Sequence, residues 1–395
     1  MTLPQKAQKA IEKVNKNIKT PPSSTLGMLG GGQLGGFFAE AALRMGYKVA
    51  VWDPSETAPA KRFATHKFNT PFDDANTLNE FVSTVDAVSL EWENIPVELV
   101  EAIQSHKPTR PSSKSLGLAQ NRIKEKQFLR DNGFPLSEYQ VISSPSDLVK
   151  VAQELPWIVK TATMGYDGHG QWRINTEQER DHMSSQITGE GPWVAERVVP
   201  FEMELSVVVV QGADGTCITY PATENKHENG ILRMSMCPAR IDPSTELAAQ
   251  NLAKEVIKSI GDPGVFCVEL FLVNPDQILV NEIAPRPHNS GHHTIDSFSI
   301  SQYEHQVRAL CGLSISQPLR IGSTVLLNVL GDEATTLSRV ETTDLILKTG
   351  RARIYMYGKE SVRPGRKMGH IIFSGDDIEV LEKEASEALV VLSGR

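Results

Sequence analysis

Two glutamates on neighbouring apolar segments carry the strongest chemical signal in the chain. Val265-Phe-Cys-Val-Glu269-Leu-Phe-Leu-Val273 is followed by Asn-Pro-Asp-Gln, then by Ile278-Leu-Val-Asn281-Glu282-Ile. With Pro275 and Asp276 at a hairpin tip, Glu269 and Glu282 stand opposite each other on one face, with Cβ atoms about 5 Å apart. At an effective dielectric of 20, two carboxylates that close repel by roughly 3 kcal/mol. A divalent cation relieves that repulsion, and oxygen-only ligands favour Mg2+ or Mn2+ over Zn2+. Asn281 adds a neutral ligand or a contact just behind it. Two alternatives stand beside this reading: a register slip that sends one glutamate to solvent, or a dyad that shares one proton.

Directly after the hairpin comes Ala284-Pro-Arg286-Pro-His288-Asn289-Ser290-Gly291-His292-His293, a loop dense in donors. Arg286 suits a planar oxyanion such as bicarbonate or phosphate. His288 can donate or shuttle a proton. The spacing gives no helical i, i+4 pair of histidines, so zinc is not expected. His292 and His293 read as structural residues.

A second group of motifs suits phosphates. Lys160-Thr-Ala-Thr-Met-Gly165-Tyr-Asp-Gly168-His-Gly170-Gln171 sets a lysine near the end of an apolar strand before a glycine-rich loop. A lysine there is costly unless its head reaches an anion, and such a loop can fold over phosphates with its N–H groups as donors. The plain alternative is a flexible hairpin turn with a snorkelling lysine. Gly30-x-Gly32-x-x-Gly35, with Asp53 ending the next strand, fits a dinucleotide fingerprint, another phosphate cradle, or tight strand–helix packing. Lys359, Arg363, Arg366 and Lys367 crowd nine residues around a Pro-Gly turn; they form an anion pocket or a solvated basic loop. A triphosphate flap, an acidic hairpin and basic loops are equipment for moving a γ-phosphoryl group to an acid, where catalysis is mostly positioning and charge neutralisation.

The elements that must hold these groups are legible in outline. Leu26–Leu29, the glycine turn, Leu34, Phe37, Phe38, Ala41, Ala42 and Met45 at helical spacing, and Lys48–Trp52 make an opening βαβ unit of an open, mostly parallel sheet. An α-rich stretch over Ser115–Asn132 leads onward. Short strands follow at Trp157–Thr161, Gln171–Ile174, Trp193–Val199, Leu205–Val210 and Cys217–Tyr220, a pattern of antiparallel sheet with helices. The end is β-rich, with Ile354–Tyr357 and His370–Phe373.

Composition narrows the classes. The chain has 395 residues, enough for two or three domains with large cores. Its net charge of −8 makes a general nucleic-acid or anionic-membrane binder a poor fit. No segment reads as a membrane span. Cys217, Cys237, Cys267 and Cys311 form no Cys-x-x-Cys pair, which points to a reducing compartment. Residues 1–22 read as a solvated extension rather than a secretory signal.

Taken together, the Gly30-Gly-Gly-Gln-Leu-Gly35 run, Lys160 with Gly165-Tyr-Asp-Gly-His-Gly-Gln171, Tyr220-Pro-Ala-Thr-Glu-Asn-Lys-His227, the 281–292 run and Arg363-Pro-Gly-Arg-Lys-Met-Gly-His370 resemble the N5-carboxyaminoimidazole ribonucleotide synthetase family, within the ATP-grasp superfamily. The resemblance runs from about Leu26 to the C-terminus. It implies an α/β ATP-grasp fold: a Rossmann-like pre-ATP-grasp domain (23–120) after the extension, a lid (121–200), and an α+β catalytic domain with a β-rich tail (201–395). It implies that ATP is contacted by Arg122, Lys160, Gly165, Tyr166, Asp167, Gly168, His169, Gly170, Gln171, Glu196, Arg197, Val198, Val199, Glu204, His227, Asn281 and Glu282. Glu269, Glu282 and Asn281 fall on the metal positions.

The implied reaction joins bicarbonate to aminoimidazole ribonucleotide through carboxyphosphate, in purine biosynthesis. Arg286, His288 and Lys359 are then the catalytic candidates. Gly32, Gln33, Leu34, Arg363, Arg366 and Lys367 cradle the substrate phosphate, Glu91 or Glu93 holds its ribose, Tyr166 and Asp167 approach the imidazole, and Asn289 and Ser290 complete the site. A cytoplasmic homodimer, without nucleic acid or membrane, goes with the family. The chain departs from it at His169, where Arg or Lys is usual, and at His293, in place of an aromatic residue. The rivals are a formate-dependent glycinamide ribonucleotide transformylase, a nicotinamide dehydrogenase built on Asp53, and a non-catalytic binding module.

Overall fold

The computed structural model describes residues 18–151, 155–165, 170–186 and 191–394. Strands β1 (Thr25–Leu29), β2 (Lys48–Trp52), β3 (His66–Phe68) and β4 (Ala87–Leu90) form a parallel sheet in the order β3-β2-β1-β4. Every residue of β1 and β4 is buried, as strands covered on both faces require. The helix Gln33–Arg44 lays Leu34, Phe38, Ala41 and Ala42 on one side of the sheet. Gly46, at φ +84°, provides the left-handed turn that ends the crossover.

A four-stranded antiparallel sheet follows, ordered β5 (Tyr139–Ile142), β8 (Trp193–Arg197), β6 (Trp157–Thr161), β7 (Gln171–Ile174). The largest sheet is antiparallel too. Its main path runs β14 (Gln277–Ala284), β13 (Gly264–Asn274), β9 (Met203–Gln211), β11 (Thr223–Glu228), β12 (Ile231–Cys237), β15 (Ser323–Leu330), β17 (Lys367–Gly375), β16 (Ala352–Met356), with β10 (Cys217–Thr219) pairing β9. The β-rich tail is therefore continuous with the sheet that carries the acidic hairpin, joined through β12 and β15. Among the described residues no helix is long and apolar enough to cross a membrane, and the four cysteines are buried and unpaired.

The α-rich stretch expected over Ser115–Asn132 is two helices, Ser113–Ala119 and Arg122–Asp131. The break is chemical: the Asn121 side chain accepts from the Ile123 and Lys124 N–H groups at 3.0 and 3.1 Å and starts a new helix.

The first domain is docked rather than tethered. Tyr303, Val307 and Leu310 of the helix Gln302–Leu310 share a core with Leu26, Phe38 and Val49. The buried Arg110 guanidinium donates to the carbonyls of Ala309 and Leu310 at that helix's C-terminal end, at 3.0 and 2.9 Å. Asp262, ahead of β13, accepts from Ser112 N–H, Ser112 Oγ and Ser115 Oγ at 2.7, 2.7 and 2.6 Å.

Aromatic and imidazole rings fill the seam. Phe37 lies 5.3 Å from the His292 ring and 5.8 Å from that of His370. Tyr303 pairs with His292 Nδ1 at 2.6 Å, Tyr357 with His370 Nδ1 at 2.8 Å, and Tyr220 with His305 Nδ1 at 2.7 Å. His293 Nδ1 meets Ser297 Oγ at 3.1 Å. All four imidazoles are buried, as the structural reading of His292 and His293 expects. Burial resists their protonation: His293 and His370 are pushed down to about 3, His305 to about 4, and His292 well below its ordinary value.

Removing the Asp262 carboxylate (Asp262→Ala) orphans three donors at the joint and is expected to cost about 2–4 kcal/mol in urea unfolding; an unchanged midpoint would contradict the docking role. The buried histidines set a pH dependence. Unfolded, each takes a proton near pH 6.5; folded, each refuses it until well below. The unfolded chain therefore binds more protons between those values, and stability falls as pH drops below 6.5, by about 1.4 kcal/mol per pH unit for each such histidine. The urea midpoint should fall as pH drops from 6.5 to 5, the four buried histidines together outweighing the opposite contribution of Glu125, whose raised carboxyl favours the folded state at lower pH; a flat or rising profile over that range would contradict this.

Candidate active site

The acidic hairpin has the expected facing pair for a reason the sequence did not show. β13 and β14 pair Glu269 with Glu282, and Asn274 with Gln277 across the predicted tip. Between these, the register shifts twice, leaving Val273 extra on β13 and Asn281 extra on β14. The two bulges cancel, so the glutamates still face each other. Asn281 is thus a bulge residue, a type of position that re-aims a side chain.

Each glutamate has a cation of its own. Glu282 Oε2 takes Arg122 NH1 at 2.8 Å. Glu269 Oε1 takes His288 Nε2 at 3.1 Å. Burial alone would keep His288 neutral, but Cys267 and the Glu269 carboxylate outweigh it and push the imidazole up to about 10. His288 is fixed from behind: Nδ1 meets Ser290 Oγ at 2.8 Å, which meets Ser206 Oγ at 2.7 Å, and the Gln302 side-chain amide brackets the His288 backbone at 3.0 and 2.8 Å.

The residues present suit a hard divalent cation. Glu269 and Glu282 supply carboxylate oxygens, and Asn281 Oδ1 is buried with no hydrogen-bond partner. Two facing carboxylates and an unpartnered amide oxygen on the adjoining bulge residue are oxygen donors of the kind Mg2+ takes. Among the described residues no three His, Cys, Asp or Glu side chains gather into a metal cluster.

Lys160 at the end of β6 is held by Glu196 Oε1 at 2.9 Å, and Glu196 Oε2 takes Lys126 Nζ at 3.0 Å. Burial would raise Glu196; the two ammonium groups outweigh it and hold the carboxyl far below the usual range. Glu196 therefore serves two lysines, and Arg197, Val198 and Val199 carry the chain from β8 towards β9. Glu204 pairs with His227 Nδ1 across β9 and β11. The flap is described only at its ends: Gly165, then Gly170 and Gln171, where Thr161 N–H donates to the Gly170 carbonyl at 2.8 Å. Tyr166, Asp167, Gly168 and His169 lie outside the described residues.

The glycine loop differs from a free phosphate cradle. Glu91 fills it. Its carboxylate accepts from Gly32 N–H and, at 2.8 Å, from Gly35 N–H. The glycines are there to let it in: a Cβ on Gly32 would lie 2.7 Å from Glu91 Oε1, and one on Gly30, at φ +92°, 2.5 Å from Glu91 Cγ. Asp53 Oδ2 accepts from Gly31 N–H at 2.8 Å, and Asp53 Oδ1 from Ser55 N–H at 2.8 Å. The position a dinucleotide ribose would need is thus tied to the loop itself, and the dehydrogenase reading loses its site. Gln33 and Leu34 begin the helix, where N–H groups have no intrahelical acceptor, and they remain the amides that can meet an anion.

The second domain junction brings Glu93 to Arg286 NH2 at 2.7 Å, while Arg286 Nε is buried without a partner. Lys359 Nζ donates to the Lys367 carbonyl at 2.7 Å, lies 5.4 Å from the Tyr357 ring, and is near enough to Glu91 to offset part of its burial. Arg366 and Lys367 are half-buried and Arg363 is exposed, so the basic loop is part pocket, part solvated. Arg366 NH1 donates to the Ser361 carbonyl at 2.7 Å. Asn289 and Ser290 are buried and committed: Asn289 Oδ1 accepts from Asn328 Nδ2 at 2.6 Å, and Ser290 sits between His288 and Ser206. They brace the loop from behind.

Sequence reasoning passed over Glu125 and Lys126. Glu125 Oε1 accepts from Ile283 N–H at 2.6 Å, and burial, then the Glu282 charge, pushes its carboxyl up to about 8. Lys126 Nζ donates to the Asn281 carbonyl at 2.8 Å. A signal was available: Arg122, Glu125, Lys126 and Leu129 occupy the i, i+3, i+4, i+7 positions where a helix normally presents its apolar stripe.

Comparison with known proteins agrees with this geometry. Family models match for an ATP-grasp domain over residues 127–303, a ribonucleotide synthetase preATP-grasp domain over 23–120, and a phosphoribosylaminoimidazole carboxylase C-terminal domain over 324–384. The N5-carboxyaminoimidazole ribonucleotide synthase of Bacillus subtilis is 36% identical over 354 residues, covering 89% of this chain and 92% of that one. An ADP complex of an N5-carboxyaminoimidazole ribonucleotide synthetase superposes with a TM-score of 0.90 at 33% identity, over 95% of this chain and 98% of that one. The Aspergillus clavatus enzyme in complex with ADP and 5-aminoimidazole ribonucleotide gives 0.86 at 31% identity, over 94% and 99%. With the acidic hairpin, the lysine at the end of β6 and the basic loop all present in one fold, the chain belongs to the N5-carboxyaminoimidazole ribonucleotide synthase family of ATP-grasp ligases.

Proposed function

We propose that this chain carboxylates 5-aminoimidazole ribonucleotide with bicarbonate at the expense of ATP, giving N5-carboxyaminoimidazole ribonucleotide, ADP and phosphate in purine biosynthesis. Family membership supports the reaction class, and the relative solved with ADP and 5-aminoimidazole ribonucleotide supports both ligands. The observation that carries it on this chain is the facing pair Glu269–Glu282, with the buried, unpartnered Asn281 side-chain oxygen on the adjoining bulge residue. These three residues would hold Mg2+ or Mn2+, which neutralises triphosphate charge when bound. Bicarbonate as the second substrate, a homodimer and a cytoplasmic setting belong to the same proposal.

A bicarbonate oxygen attacks the γ-phosphorus, the bond to the β-phosphate oxygen breaks, and ADP leaves. The exocyclic amine then attacks the carboxyphosphate carbon, or CO2 released from it; the carbon–oxygen bond breaks, phosphate departs, and the nitrogen loses a proton. Lys160, Arg122 and the flap position the triphosphate. His227 and Glu204 sit at the nucleotide end. Arg286 offers a planar fork to the carboxylate oxygens. His288, charged and fixed by Ser290, balances the developing negative charge. Lys359, Arg366 and Lys367, with the Gln33 and Leu34 amides, meet the nucleotide phosphate of the substrate. Closing the flap keeps water from a short-lived acyl phosphate.

ADP release should require aminoimidazole ribonucleotide, bicarbonate and Mg2+ together, each omitted in turn; release independent of the amine would contradict the assignment. Glu282→Gln should lower turnover by at least 100-fold with circular dichroism unchanged, and near-normal turnover would remove the metal assignment.

A further inference from the structure

One face of the helix Arg122–Asp131 grips three consecutive residues of the bulge. Arg122 NH1 meets the Glu282 carboxylate at 2.8 Å, Glu125 Oε1 takes the Ile283 N–H at 2.6 Å, and Lys126 Nζ donates to the Asn281 carbonyl at 2.8 Å. Lys126 is completely buried. Its ammonium also meets Glu196 Oε2 at 3.0 Å, and Glu196 Oε1 meets Lys160 Nζ at 2.9 Å. An unbroken polar path therefore runs from Lys160 on β6, through Glu196 on β8 and Lys126 on the helix, to the acidic hairpin.

Stability does not explain a lysine there, because a well-packed apolar residue commonly serves a buried site as well or better. Two other things do. The bulge leaves Asn281 without a ladder partner, so its buried carbonyl needs a donor, and a rigid donor fixes the peptide plane from which the Asn281 and Glu282 side chains spring. Lys126 also takes half of the Glu196 carboxylate. Without it, Lys160 would be the one ammonium left on that carboxylate, whose other partner is the neutral Ser137 Oγ at 3.3 Å, and would be held back from a phosphate.

We infer that Lys126 is a positioning residue that sets the acidic bulge and, by sharing Glu196, leaves Lys160 able to reach nucleotide phosphate. The inference rests on the ATP-grasp reading above, and wild-type ADP binding separates the two: if wild type binds no ADP, that reading itself fails. The test is calorimetric titration of ADP into wild type, Lys126→Met, Lys126→Arg and Lys126→Met/Glu196→Gln, each with and without Mg2+ and each checked for folding by circular dichroism. Lys126→Met should bind metal-free ADP at least tenfold more weakly. Adding Glu196→Gln should recover most of that loss, because no unbalanced carboxylate then holds Lys160, while the gain in affinity on adding Mg2+ stays diminished. Lys126→Arg, which keeps a charged donor, should lie closer to wild type than Lys126→Met does. Unchanged ADP affinity in folded Lys126→Met, or a double variant weaker than the single, would overturn the inference. Should Lys126→Met not fold, the neutral double variant decides alone: near-normal metal-free binding with a lost Mg2+ gain supports the role, and a retained Mg2+ gain overturns it.

Discussion

Two carboxylates held face to face on one hairpin, at the edge of a nine-stranded sheet, set the terms for everything around them. Left alone they would push each other apart or take up a proton. The fold answers by bringing a cation to each from a different direction. Arg122 comes from the helix that leads into the lid, and His288 from the loop that follows the hairpin. Both are themselves braced, the helix by its Asn121 cap and the histidine by Ser290 and Gln302.

The other sheets serve the same centre. The lid sheet supplies Lys160 and Glu196 on neighbouring strands, and Glu196 links that lysine to Lys126, which holds the hairpin at Asn281. The parallel sheet supplies Glu91 and Glu93 just beyond the C-terminal end of β4, where open α/β sheets present their ligand-facing groups. Glu91 is spent on its own glycine loop, and Glu93 on Arg286 across the junction. Docking through Arg110, Asp262 and the ring cluster around Phe37 keeps that junction fixed, which a contact as short as 2.7 Å between Glu93 and Arg286 requires.

What could be read from residues alone was whatever depends on local pattern. Strand alternation, a Pro-Asp tip and two glutamates gave the facing pair. The paired bulges were invisible because each adds one residue to one strand and nothing in the side-chain pattern marks it. The glycine loop stayed open between several readings for a different reason. Its glycines do signal close approach, but the group that approaches is a carboxylate 56 residues away from Gly35, and a local motif does not name its partner. Asn289 and Ser290 looked like substrate contacts beside a catalytic loop, yet Asn328 and Ser206, both distant in sequence, claim them. Lys126 escaped because it sits where an apolar residue belongs. Its role becomes legible only when β8 and the hairpin close around it.

The most direct measurement of the central claim is anomalous scattering from crystals grown with ADP and Mn2+. The account predicts a manganese peak between the Glu269 and Glu282 carboxylates, within about 2–2.5 Å of both, with nucleotide phosphate completing its coordination. Nucleotide bound with the two side chains turned apart, or a manganese peak away from them, would contradict it.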